Sequence, residues 1–450
     1  MKDSVEAKER ENVDSGLADS GVNGASRANS SDDTASNAAG YFAKALVEAT
    51  GLLRAPQRLF PLMRAVVSDK LRVTFDRPHL YSYTKTRRSS DDALNGVLGW
   101  ILRAQRADGG IAAYYSLLTG YAESYPEVTG YLIPTLYDSA AAMHEARAQA
   151  SAERATQWLL SMQMPCGAFL AGLHGRSQEP SIFNTGQILQ GLVRAYRETN
   201  DNAILQSAIS AGDWLIKMQQ LDGSWSGTGA YENSAHTYYT MVAWALAELA
   251  EIAGDGGAHG AAAERNLDWA LSHFQTDGWV DGINLRGHPN YLHFVAYVLQ
   301  GTLECGCLRR RDDAIDAVAK PARMLLRKFE THKFIPGAFH ADFKSGHGFS
   351  CLTGNAQISC VWLRLYELTG DLRYLNAALK MNETLKDLLP KPGGRGISGG
   401  VSGSYPIWGR YQPLRYISWG CKFLADALLL ERRIVNSFEV GESEALPCAS

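Results

Sequence analysis

The sequence predicts an all-α fold, an (α/α)6 toroid of six helical hairpins with an N-terminal helical arm. Three observations carry that prediction. The first is a helix end followed by a Gly turn, which recurs six times at intervals of 55–60 residues. Four copies read Gln105-Arg-Ala-Asp108-Gly109, Gln163-Met-Pro-Cys166-Gly167, Gln219-Gln-Leu-Asp222-Gly223-Ser-Trp225 and Phe274-Gln-Thr-Asp277-Gly278-Trp279, and Pro336-Gly337-Ala-Phe339 and Gly393-Gly394 follow. The second is apolar periodicity, which places two helices in each repeat. The third is that the connections alternate between short and long. A helical hairpin cannot bury its apolar face alone and stacks on its neighbours. Six such units are enough to close a ring around a centre where a ligand can sit.

Residues 1–40 carry eight acidic and four basic side chains and almost nothing large and apolar, so this segment is expected to be disordered. Residues 41–92 hold ten Lys or Arg against five acids. Arg54, Arg58, Arg64, Lys70 and Arg72 lie beside Leu53, Leu59, Phe60 and Leu62. This pattern fits a helical arm packed on the ring, or a peripheral membrane contact through residues 41–77. The toroid, read as the catalytic domain, occupies 93–432, and 433–450 is a polar tail. Its helices are expected near 93–106, 129–147, 150–163, 184–199, 203–220, 235–253, 260–275, 290–303, 310–328, 354–369, 372–386 and 413–431. The first member of each pair runs into Gly, which suits a C-cap with positive φ. The second is small and apolar, and Thr129-Gly130, Thr185-Gly186, Ser234 and Thr353-Gly354 are read as its capping starts.

Composition narrows the function classes. The 450 residues are 46% hydrophobic, enough for a large core, and the net charge of -3 gives no basic footprint for nucleic acid. Seven irregularly spaced cysteines fit a reducing compartment better than a disulfide scaffold. No apolar run reaches the length of a membrane span, and MKDSVEAKEREN lacks the apolar core of a signal peptide, so a cytoplasmic location is expected. Cys305-Gly-Cys307, and His347 with Cys351, lack further ligands for a metal. No phosphate loop or dinucleotide fingerprint is present. No metal or cofactor is expected.

If the ring closes, residues 109–128, 165–183, 221–234, 277–289, 330–353 and 388–412 share one face, where binding and catalysis usually reside. These loops and the helix starts behind them are rich in Tyr, Trp, Asn, Gln and His, a content suited to a polyhydroxylated ligand. Glu127, between Tyr125 and Tyr131 just before a helix start, is the first candidate for a general acid or base. Glu232 lies in the matching loop two repeats on, and a pair of carboxylates is the usual requirement for glycoside hydrolysis. His236, His288 and His293, with Tyr239, Tyr291 and Arg410, form a second set able to move a proton beside a uronic carboxylate. Asn184, Gln187, Trp225, Asn290, Tyr291, Asn355, Gln357, Tyr405 and Trp408 join Tyr125, Tyr131 and Arg410 as candidate substrate contacts. Asp138, Asp281 and Asp342 are further acids.

Gln219-x-x-Asp222-Gly223-x-Trp225 and its relatives resemble the repeat of the squalene and hopene cyclases and protein prenyltransferases, a superfamily of α/α toroids in which this motif ties helix ends to turns. The acid motif Asp-x-Asp-Asp with which such cyclases protonate an isoprenoid is missing here. Cys351-Leu-Thr-Gly-Asn355-Ala-Gln357, running through Trp362 and Tyr366 to Thr369-Gly370-Asp371 and Tyr374, resembles the C-terminal helical domain of the glucuronyl C5-epimerases and other six-hairpin polysaccharide hydrolases and lyases. That likeness implies catalysis by tyrosines and acids in the cavity, for which Tyr405, Tyr411 and Glu127 are the nearest residues. The expected function is a carbohydrate-active enzyme on an oligo- or polysaccharide, hydrolase-like, with a lyase or C5-epimerase as the alternative. An isoprenoid cyclase or transferase, and a non-catalytic glycan-binding protein, are the competing classes.

Overall fold

The computed structural model describes residues 58–75, 88–254, 257–332, 334–340, 343, 348–390 and 396–444. The expectation for residues 1–40 lies outside these residues, as do Gly393-Gly394, Asp342 and His347. Among these residues an arm helix, α1 (Leu59–Phe75), precedes twelve α-helices that fall into six pairs. They are α2 (Ser90–Ala104) and α3 (Pro126–Met143), α4 (Ala146–Met162) and α5 (Ile182–Thr199), and α6 (Asn202–Met218) and α7 (Thr240–Ala253). The second half holds α8 (Ala258–Leu271) and α9 (Leu292–Arg309), α10 (Asp312–His332) and α11 (Leu352–Thr369), and α12 (Leu372–Leu388) and α13 (Ser418–Glu444). The odd-numbered helices from α3 to α13 each pack on the next, and α13 packs back on α3, so the inner ring closes. The even-numbered helices stand outside.

Side-chain patterning explains the sorting. Outer α6 buries only Ile204, Ser207, Ala208, Ala211, Gly212, Trp214 and Leu215, one stripe at helical spacing. Inner α5 is buried without a break from Ile182 to Val193. Glycine lets the inner helices touch. A Cβ on Gly130 would sit 2.5 Å from the Ile188 Cα, and one on Gly301 would sit 2.5 Å from the Thr240 carbonyl carbon.

The repeated Gln-x-x-Asp-Gly turn is a staple between outer helices. Gln219 Nε2 donates to Gly223 O in its own turn at 3.1 Å and to Ala262 O on the next outer helix at 2.9 Å. Gln105 and Gln163 make the same two bonds, to Gly109 and Ser151 and to Gly167 and Ser207. Asp108, Asp222 and Asp277 each accept the amide two residues on, closing the turn. Gly223 has φ 90°, and an added Cβ would run into the Arg265 carbonyl, so only Gly fits. The fifth copy differs. Gly337 leads into strand β2 (Ala338–Phe339), which pairs antiparallel with strand β1 (Asn290–Tyr291).

The long loops lie on one face, because each is tied to the next by backbone. Ile182 N donates to Gly229 O, Thr237 N to Gly282 O, Leu292 N to Gly337 O and Leu352 N to Gly403 O. Ser418 N closes the circle on Ala113 O. At the matching position α3 has Pro126, which has no N–H, and His174 N instead bonds Ser124 O.

Three expectations about element ends are corrected. Thr129 and Thr185 are not caps: their hydroxyls, one turn inside α3 and α5, accept the amides of Ile111 and Phe169 and so dock the preceding turn. Ser181 is the true N-cap of α5. Helix α3 starts at Pro126, which suits the first helical position, so Glu127 lies inside the first turn rather than before it. Helix α13 continues to Glu444, through most of the segment expected as a tail.

Candidate active site

The first turns of the inner helices converge at the loop face. The second residue of each inner segment is, in order, Glu127, Phe183, Tyr238, His293, Thr353 and Trp419. Interhelix contacts fix which way they face. On α5, Gly186 meets Val242 of α7, and Gly191 meets Gly130 of α3. At about 100° per residue the ring axis lies between those two directions, on the arc of Phe183, Gln187, Gln190 and Arg194. By the same construction Glu127, Tyr131 and Asp138 face the axis from α3, and His293, Tyr297, Gln300 and Glu304 face it from α9. Glu127 and His293 belong to inner helices three repeats apart. They therefore stand on opposite walls.

Glu127 is 7% exposed and set among phenols. Tyr125 donates to Glu127 Oε2 at 2.5 Å, and the Tyr231 hydroxyl approaches the same oxygen at 3.5 Å. The better bond of Tyr231 goes to Asn184 Oδ1 at 2.9 Å, and Asn184 is itself anchored by its Nδ2 on Leu170 O. Burial pushes the Glu127 carboxyl up to about 7, while hydrogen bonds from the two tyrosines hold it down in part. No cation is among the groups acting on it. A carboxyl so placed is half protonated near neutral pH and can both give and take a proton.

Tyr231 is held from behind. Its N–H donates to the Tyr239 hydroxyl at 2.8 Å, and its carbonyl accepts from His236 Nε2 at 3.0 Å. His236 stacks on Tyr238, with ring centres 4.9 Å apart, and burial lowers its pKa, so it stays neutral. Glu232 and Asn233 both have φ 54°. This left-handed pair turns the Glu232 carboxylate toward the Arg286 amide, which donates to it at 2.8 Å.

On the far wall His293 Nδ1 donates to Gln357 Oε1 at 3.1 Å, and Gln357 Nε2 donates to Gln300 Oε1 at 2.8 Å. Burial pushes the His293 imidazole down to about 3, which fixes it neutral. Its ring lies 4.1 Å from Tyr297 and 5.9 Å from Tyr411. Tyr411 packs on Tyr291, and its hydroxyl accepts from Trp419 Nε1 at 2.9 Å. Gln187 is wholly buried one turn below Phe183, and neither polar atom of its amide has a hydrogen-bond partner.

The structure thus gathers Tyr125, Glu127, Tyr131, Asn184, His236, Tyr239, Tyr291, His293, Gln357 and Tyr411 around the loop end of the axis, with Gln187 beneath. Other candidates are placed differently. Trp225 is fully buried, and its indole N–H caps Leu215 O at the end of outer α6, so it packs behind the loop. Asn290 bonds Phe339 O, and Asn355 bonds Ser350 and Cys351 within its own turn. Tyr405 is buried in strand β4 (Ser404–Tyr405), which pairs with strand β3 (Ser350–Cys351). Trp408 and Arg410 are exposed on the sixth loop. Asp138 pairs with Arg194 at 2.7 Å, far down the axial arc, and Asp281 accepts from Gln275. Sequence reasoning passed over Tyr231, Phe183 and Tyr297. Tyr231 stands beside the more conspicuous Glu232, and only the left-handed turn decides which of the two points inward.

A chain of this shape, with an acid among phenols at the loop end of a closed ring, is an (α/α)6 toroid, and comparisons agree on that fold. The family model for the squalene-hopene cyclase C-terminal domain matches residues 79–300, just under half of the chain. The structure is similar to an unsaturated glucuronyl hydrolase from Bacillus sp. GL1, at 16% identity and a TM-score of 0.62, covering 77% of this chain and 98% of that one. It is similar to cellobiose 2-epimerase from Spirochaeta thermophila, at 14% identity and a TM-score of 0.60, covering 76% and 95%. A D-mannose isomerase matches at 10% identity and a TM-score of 0.63, covering 78% and 100%. None of the curated proteins matches the sequence.

Proposed function

We propose that the protein is a carbohydrate-active enzyme working on an oligo- or polysaccharide, with Glu127 as the proton donor. The observation that carries this reading is the Glu127 carboxyl, pushed up to about 7 among Tyr125, Tyr231 and Asn184 at the axis of the ring. In hydrolysis Glu127 gives its proton to the glycosidic oxygen as the C–O bond breaks. Water then supplies hydroxide to the anomeric carbon, and its remaining proton restores the carboxyl. Tyr131, Tyr291 and Tyr411 supply aromatic faces beside it, and the Gln187 amide, which has no partner of its own, supplies a donor and an acceptor. His236 and Tyr239 act through Tyr231, as positioning residues. The names of the similar structures support a sugar substrate.

Epimerisation or isomerisation is the second reading, favoured by the neutral His293 on the wall opposite Glu127. An acid and an imidazole facing each other can move a proton off one face of a sugar carbon and onto another. Both readings are tested by incubating the protein with a panel of neutral and uronate-containing oligosaccharides, in parallel with Glu127→Gln. Saturated fragments by mass indicate hydrolysis, ultraviolet-absorbing fragments a lyase, and deuterium uptake without cleavage an epimerase. No change in any saccharide would sink the carbohydrate reading.

A further inference from the structure

Helix α1 is fixed to the loop face of the ring. Just before its start, Arg58 Nη1 donates to Leu118 O of the first loop at 3.1 Å. Nearer its end, Asp69 accepts the Ile407 amide of the sixth loop at 2.8 Å. Leu62, Ala65 and Val66 pack between these anchors, against the core. The opposite side of the helix is apolar as well. Leu59, Met63 and Val67, spaced four apart, are 50%, 56% and 50% exposed, in one stripe along the helix. Arg64 and Lys70 are exposed beside that stripe. The only acid in Leu59–Phe75 is Asp69, and it is spent on Ile407. A chain with a net charge of -3 therefore places two cations beside this exposed apolar row. Trp408, 42% exposed, follows Ile407 on the same face.

We propose that α1 docks the protein, loop face first, on an anionic lipid bilayer, with Leu59, Met63 and Val67 entering the interface and Arg64 and Lys70 meeting the headgroups. A water-soluble partner would be matched by either property alone, whereas an apolar row beside cations with no free acid is complementary to anionic lipid. Among the described residues no helix is long and apolar enough to cross a membrane, so the contact is peripheral. A bilayer held there brings membrane-borne glycans to the loop face of the ring. That consequence rests on the carbohydrate reading, and the docking itself does not.

The test is cosedimentation of the full chain with vesicles of phosphatidylcholine, with and without phosphatidylglycerol. Binding to the anionic vesicles, weaker on phosphatidylcholine alone and reduced by salt, is expected. Met63→Glu with Val67→Glu should lower partitioning by about tenfold or more, and Arg64→Glu with Lys70→Glu should remove the preference for anionic lipid. All four side chains are on the exposed side, and circular dichroism and melting of the variants check that they fold. Failure of the full chain to sediment with either vesicle overturns the proposal, as does binding that both double variants leave intact. So does a concentration-dependent dimer in sedimentation velocity that the apolar variant abolishes, since a second copy would then cover the stripe. Vesicle binding is read without any sugar, so its failure leaves the proposed activity standing.

Discussion

Replacing Glu127 by Gln removes a titrating group while keeping its shape, and the effect on stability follows from the site. The carboxyl is raised from 4.5 to about 7, chiefly by burial. A carboxyl whose folded-state value is raised supports the folded state while protonated. Its contribution is complete below about pH 4.5 and is lost as pH rises through about 7. At 1.36 kcal/mol per pH unit the span is worth about 3 kcal/mol. The wild type and Glu127→Gln should therefore differ little at pH 4.5 relative to each other, and the variant should gain about 3 kcal/mol on it by pH 8. For a ring of roughly 340 residues that is a relative rise in Tm of about 4–5 °C. Glu248 is also pushed up to about 7 by burial, but it is present in both proteins and cancels in the difference. Calorimetry of the pair from pH 4.5 to pH 8 is the assay. Parallel Tm curves across that range would refute the assignment of a buried, cation-free carboxyl.

Three other outcomes follow from the same contacts. Tyr125→Phe deletes the 2.5 Å hydrogen bond that holds the Glu127 carboxyl down, so the alkaline limb of kcat/KM should move to higher pH; an unmoved limb would count against Glu127 as the acid. Gln219→Ala deletes the bonds to Gly223, Ala262 and Arg265 and should cost about 2 kcal/mol by denaturant melting, with kcat retained. Tyr239→Phe removes the acceptor of the Tyr231 amide and should lower kcat more than it raises KM, whereas a purely structural role would leave both unchanged in the protein that remains folded.

The ring was legible in sequence because its repeat is made by local chemistry. Gln and Gly at fixed spacing build the same staple in the first three copies, Asp closes the turn in the first, third and fourth, and the small, buried inner helices differ in pattern from the one-sided outer ones. Element ends were less legible. Thr129 and Thr185 have the chemistry of caps but are used one turn further in, to hold a loop that is distant in register. Glu127 could be singled out because an acid near an inner helix start among tyrosines is unusual wherever the helix begins. Its partner could not. Which of Tyr231 and Glu232 meets Glu127 depends on two residues adopting positive φ without glycine, a conformation imposed by Tyr239, His236 and Arg286 from outside the turn. Trp225 was misleading for a related reason: an aromatic after a Gly turn points inward to a core as readily as outward to a ligand.

The central claim is that Glu127 supplies the proton in sugar chemistry at the axis of the ring. The most direct measurement compares the turnover of the best saccharide in the panel by wild type and Glu127→Gln near pH 6, with the binding of that saccharide measured in parallel. A fall in kcat of about 10²–10⁴-fold is expected, with binding largely kept. Turnover by the Gln variant at the wild-type rate would contradict it.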